Sequence, residues 1–77
     1  MMTHKPFAEM LRAARQHRDF TPEHLSQASG VDRTAISHFE RGARDPSVDT
    51  LRKLAIALDV TADYLLGLTE DTRRIGA

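Results

Sequence analysis

The stretch TPEHLSQASGVDRTAISHFERG, residues 21–42, carries two helix starts and two helix stops in quick succession. Thr21 offers a side-chain oxygen to the orphan amides of a helix, Pro22 suits its first position, and Glu23 favours the positive end of its dipole. Leu25 and Ala28 are spaced as an inner face, and Gly30 supplies the left-handed residue that ends the helix. Asp32 caps another helix at once, with Ile36, Phe39 and Glu40 on one face and Gly42 as its stop. These signals predict two short helices joined by a tight glycine-centred turn, the second running from about Asp32 to Arg41.

Working outward, helical spacing continues on both sides. Upstream, Phe7, Leu11 and Ala14 form one stripe that Arg15 and Arg18 extend, with a helix end near His17 and residues 18–20 as connector. Downstream, Asp45-Pro46-Ser47 forms a break and Ser47 caps a fourth helix with Leu51, Leu54, Ala55 and Leu58 inward. Thr61 opens a short fifth helix that ends at Gly67. No segment alternates apolar and polar residues over a useful length. The expected fold is therefore all-α with five helices: a short arm at 1–5, one domain at 6–67, and a tail at 68–77.

Composition narrows the function classes. A chain of 77 residues buries only one modest core, and its lack of cysteine excludes disulfide or thiolate-zinc support. Residues 1–7 lack the apolar run of a secretory signal, and no stretch approaches the roughly 20 apolar residues of a membrane span, so a cytoplasmic location is expected. Eleven basic residues balance eleven acidic ones, which is unusual for a nucleic-acid binder. Their distribution is uneven: residues 1–44 hold seven basic and five acidic side chains plus all four histidines, and residues 45–77 hold four and six. One faintly basic half remains.

The two helices of residues 21–42 match the helix-turn-helix pattern, in which the first helix crosses the DNA backbone and the second enters the major groove. The agreement extends along residues 11–68. An Arg-bearing first helix is followed by F-T-x-x-x-L, G-V-D-R-T-A-I-S across the turn, F-E-R-G, P-S-x-x-T-L and L-A-x-A-L-x-V, in that order. This series resembles the XRE family of Cro and lambda-repressor-like DNA-binding domains. The resemblance implies a compact lambda-repressor-like fold with Gly30 at the turn and Leu25, Ile36 and Phe39 in the core. Two positions depart from the family pattern. Ser26 stands where Ala is usual, so its hydroxyl needs a partner such as the carbonyl one turn earlier. Pro22 replaces a Gln that often touches phosphate.

On that frame, Arg33, Thr34, Ser37 and His38 lie on the outer face of the second motif helix and are the expected base readers. Arg33 is the first choice, because a guanidinium pairs with O6 and N7 of guanine. Arg41 and Arg44 flank Gly42 and are expected at phosphates, with Thr21 as a neutral donor and Asp45 weakening the local potential. Arg15 and Glu40 each fall on an apolar stripe, where a lone charge is costly, and are expected to pair. The family resemblance implies the same brace, with Arg15 able to reach a phosphate as well.

His4, His17, His24 and His38 have no HxxH or HxxxH spacing, so no metal site is expected. No nucleophile turn or phosphate loop is present, and neither catalysis, a cofactor nor a small-molecule ligand is expected. The expected partners are a double-stranded DNA operator and a second copy of the chain, since one helix reads few base pairs. Ile56, Tyr64, Leu68 and Ile75 are the candidate dimer surface, with completion of the monomer core as the alternative for Tyr64 and Leu68. A phage-type repressor, a restriction-modification controller and an antitoxin-like autoregulator all fit. The rival class is an antitoxin-like or adaptor module on the same fold with little DNA affinity.

Overall fold

The computed structural model describes residues 5–68. Five helices follow in order: α1 Lys5–His17, α2 Pro22–Ser29, α3 Arg33–Glu40, α4 Val48–Leu58 and α5 Ala62–Leu65. Helix α1 takes in Lys5, a position that the sequence reading assigns to the arm. Pro6 then falls in the first turn, where a missing N–H breaks no helical bond.

Each later helix starts where a short polar side chain captures an amide two or three residues ahead. Thr21 accepts from His24 N, Asp32 from Thr34 N, Ser47 from Thr50 N and Thr61 from Tyr64 N, all at 2.9–3.1 Å. Two helix ends use aspartate in the left-handed region, Asp19 and Asp59, both at φ 58°. There the chain reverses and returns Phe20 N to Arg15 O and Val60 N to Ala55 O.

Helix α1 packs on α3 and α5, α2 on α3 and α4, and α4 on α5. The shared core is Phe7, Leu11, Ala14, Leu25, Val31, Ile36, Phe39, Leu54, Ala55, Leu58, Val60 and Leu65. Phe7 meets Phe39 edge to face, with centroids 5.8 Å apart and planes at 68°. Burying each large aliphatic side chain contributes about 2 kcal/mol, so a core this small leaves helix orientation sensitive to single polar links.

Two expectations about buried faces are corrected. Ala28 is exposed, and the inner side of α2 is Pro22, Leu25, Ser26 and Ser29. This is an i, i+3, i+4, i+7 stripe in which two serines take places that apolar spacing would not assign. Arg18 does not continue the α1 stripe either, because the helix ends at His17. Its exposed side chain reaches over to the Leu58 carbonyl at 3.2 Å and lies 5.5 Å from the centre of the Phe20 ring.

Candidate nucleic-acid interface

The interface is built around the turn between α2 and α3. Gly30 takes φ 78°, ψ 10° and donates to Ser26 O, closing α2. A Cβ at this glycine would meet nothing within 4 Å, so conformation rather than space requires glycine there. Val31 follows with its side chain in the core, and Asp32 Oδ2 accepts from Thr34 N at 3.0 Å to open α3.

Ser26 finds a different partner from the one expected. Its hydroxyl donates forward to Val31 O at 2.6 Å, across the turn. Carbonyls inside a helix already accept amides, whereas Val31 O lies outside both helices and lacks such a donor. The bond to a carbonyl one turn earlier is made instead by Ser29, to Leu25 O at 2.7 Å, and the same Ser29 oxygen accepts from Val31 N at 3.1 Å.

Helix α3 presents Ile36 and Phe39 to the core and leaves Arg33, Thr34 and Ser37 exposed on the opposite face. His38 is half-buried. Its Nδ1 is shut off from solvent with no hydrogen-bond partner, which leaves only Nε2 for a contact outside the protein. Gly42 at φ 75° stops the helix, its amide bonding Phe39 O and the Ala43 amide bonding His38 O. Arg41 and Arg44 are exposed on either side of this glycine, and the Arg44 guanidinium lies 5.9 Å from the centre of the Phe39 ring. Thr21 is exposed at the start of α2, its side-chain oxygen engaged by His24 N.

A bidentate ion pair sets α3 against α1. Arg15 donates from Nε to Glu40 Oε2 at 2.7 Å and from Nη2 to Oε1 at 3.1 Å, while its Nη1 donates to Phe20 O at 2.8 Å. The side chains are only 13% and 10% exposed, so this is a largely desolvated pair with its geometry fixed from several directions. Arg12 adds a contact that the sequence reading missed: Nη2 donates to the Glu40 backbone carbonyl at 2.9 Å, at the C-terminal end of α3. Its place three residues before Arg15, on the same side of a helix, was the available signal.

The candidate dimer residues separate. Ile56 is 57% and Leu68 72% exposed, whereas Tyr64 is half-buried against the core, and Ile75 lies outside the described residues. Apolar spacing did not single out Val48, at 75% exposure, or Leu66, at 41%. Val48 and Ile56 border a groove of about 420 Å³ between α4 and α5, together with Leu51, Arg52, Ala55, Val60, Thr61, Ala62 and Asp63. His24 is occupied in covering Phe20, the rings stacked with centroids 4.1 Å apart. Among the described residues no three His, Cys, Asp or Glu side chains converge as metal ligands. No described helix is long and apolar enough to cross a membrane.

This arrangement of a short helix, a glycine turn and a second helix with an open outer face coincides with a match to known proteins. A family model described as helix-turn-helix matches residues 11–65. The chain belongs to the helix-turn-helix family, in its XRE branch. The domain is 36% identical over 64 residues to the HTH-type transcriptional regulator ImmR of Bacillus subtilis, covering 83% of this chain and 50% of that protein. It is 41% identical over 61 residues to the transcriptional repressor RghR of the same organism, covering 78% and 45% respectively. The chain spans about half the length of the curated relatives it matches. Among solved structures, the restriction-modification controller protein C.AhdI from Aeromonas hydrophila superposes with a TM-score of 0.77 at 35% identity, covering 80% of this chain and 94% of that one. A hypothetical transcription factor from Neisseria, NHTF, gives 0.79 at 31% identity over 84% and 75%.

Proposed function

We propose that this helix-turn-helix domain is a sequence-specific DNA-binding regulator of transcription, reading operator half-sites in the major groove with α3. The observation that carries the reading is the contrast between the two sides of α3. One side is locked into the core and into the Arg15–Glu40 pair, while Arg33, Thr34 and Ser37 stand exposed on the other. A reading helix needs both, because base edges discriminate only when the side chains arrive at a fixed angle. His38 joins the readers through Nε2. Arg41 and Arg44 neutralise phosphates, and Thr21 contributes a neutral contact at the start of α2. The regulators and repressors among the relatives support the same role. On this reading the chain acts in the cytoplasm by binding rather than by catalysis and uses no cofactor.

Salt tests the proposal directly. Two arginines at phosphates in each of two protomers neutralise about four charges, and the slope of log affinity against log salt is about −0.9 per phosphate. Affinity for DNA selected from a random pool should therefore fall roughly 100-fold between about 50 and 200 mM salt. Binding that is absent or indifferent to salt would remove the DNA reading and favour the adaptor class.

The operator is read by two copies. Val48 and Ile56 expose apolar surface at the α4–α5 groove, whose rim carries both Arg52 and Asp63. A patch bearing both charges is self-complementary, as a two-fold interface requires. Ile56→Glu is expected to give a folded monomer with unchanged helical circular dichroism and weakened operator binding. A wild-type chain that sediments as a monomer at high protein concentration with operator present would defeat the dimer.

A further inference from the structure

We propose that Ser26 and Ser29 form a clamp on Val31 that sets the angle at which α3 leaves the turn, making both serines positioning residues for base reading. The role rests on the DNA-binding proposal above, but the clamp itself is a property of the free protein.

Val31 is 7% exposed and belongs to neither helix. No backbone partner serves its N–H or its C=O among the described residues. Both groups are held by hydroxyls from the inner face of α2: Ser26 Oγ donates to Val31 O at 2.6 Å, and Val31 N donates to Ser29 Oγ at 3.1 Å. The proton count is consistent. Ser29 spends its one O–H on Leu25 O at 2.7 Å, which leaves a lone pair for the Val31 amide. Ser26, with a carbonyl as partner, must be the donor in its bond.

The Val31 side chain is anchored in the core, but its two peptide groups are oriented by the clamp. Gly30 has no side chain, nothing lies within 4 Å of the place a Cβ would occupy, and its conformation is one few other residues share. The Asp32 cap acts after the turn, on Thr34 N. Both Val31 peptide groups therefore take their direction from α2, and a rotation of either is carried straight to Arg33 and Thr34 at the head of α3. A tilt of about 10–20° is enough to spoil a binding constellation. Ser26 matters most, because alanine there removes the one donor that the Val31 carbonyl has among the described residues, at a part-buried site, while leaving the helix intact.

The test uses the full chain at a temperature where every variant is fully folded by circular dichroism. DNA selected from a random pool by the wild-type protein serves as operator, and a scrambled duplex as the non-specific probe. Ser26→Ala and Ser29→Ala should each lower operator affinity about tenfold while leaving scrambled-duplex affinity unchanged. Ser26→Thr, which keeps the hydroxyl, should restore the ratio. In the free protein, amide exchange at Val31 should be slow in the wild type and at least tenfold faster in Ser29→Ala. Equal losses on both duplexes, or no loss on either, would overturn the positioning role. If the wild type selects no DNA, the DNA reading fails on its own and Val31 exchange still judges the clamp. Unprotected Val31 N–H in the wild type, or exchange unaffected by Ser29→Ala, overturns it.

Discussion

Glu40→Ala is expected to destabilise the domain by about 3 kcal/mol, because it strands the mostly buried Arg15 guanidinium. For a domain of this size that loss lowers Tm by roughly 12–24 °C. Arg15 retains its bond to Phe20 O but loses both bonds to the carboxylate, and Arg12 loses its weaker approach to Glu40 Oε1 at 3.8 Å. Glu40→Gln should lose less, since an amide still offers one oxygen to the guanidinium. The informative variant is Arg15→Met with Glu40→Leu. Apolar replacement of both members removes the desolvation cost together with the attraction, so thermal stability should return close to wild type. Operator affinity should stay reduced, because α3 is no longer held at a defined angle to α1. Thermal melts and operator titrations on the four proteins check this. An unchanged melting temperature and affinity in Glu40→Ala would end the idea that the pair is a brace.

Arg33→Ala is the second large effect, and it concerns specificity rather than folding. Arg33 is exposed at the first position of α3, so its loss should leave folding stability within about 0.5 kcal/mol of wild type. A bidentate arginine–guanine pair discriminates by about 1–3 kcal/mol, so affinity for the preferred operator should fall roughly 5- to 150-fold per half-site. Preference should relax at one base pair in each half-site and persist elsewhere. Arg41→Ala should behave differently, weakening all sequences alike and reducing the salt slope of the dimer by about two, one for each protomer. Titration of every single-base-pair variant of the selected operator separates the two patterns. If Arg33→Ala lowers affinity equally for all of them, Arg33 is a phosphate contact and the base reading belongs to Thr34, Ser37 or His38.

Much of this architecture was legible because its signals are local. Thr21, Asp32, Ser47 and Thr61 each act on an amide two or three residues away, so the helix starts can be read without knowing the fold. Arg15 and Glu40 were legible for another reason: two charges on apolar stripes of a small core have few ways to be satisfied except by each other. Arg12 was missed because an arginine on an exposed helix side ordinarily needs no partner, and its link to the Glu40 carbonyl spans 28 positions. Ala28 was misread because apolar spacing counts methyl groups, whereas serines with satisfied hydroxyls fill an interface equally well. Between core and surface, Tyr64 and Leu68 were left open by the sequence, and packing places Tyr64 against the core while Leu68 stays exposed.

The recognition helix shows the division most clearly. Residues 21–42 alone establish that a helix starts after Asp32, stops at Gly42, follows a glycine turn, and carries Arg33, Thr34 and Ser37 opposite Ile36 and Phe39. Backbone capping and helical periodicity act over a few residues, and that information is complete within the segment. How that helix is held follows from packing: by the Arg15 and Arg12 contacts from α1, and by the Ser26 and Ser29 hydroxyls at Val31. Those contacts depend on which groups lie opposite one another after packing, and on which carbonyls and amides the helices leave without backbone partners.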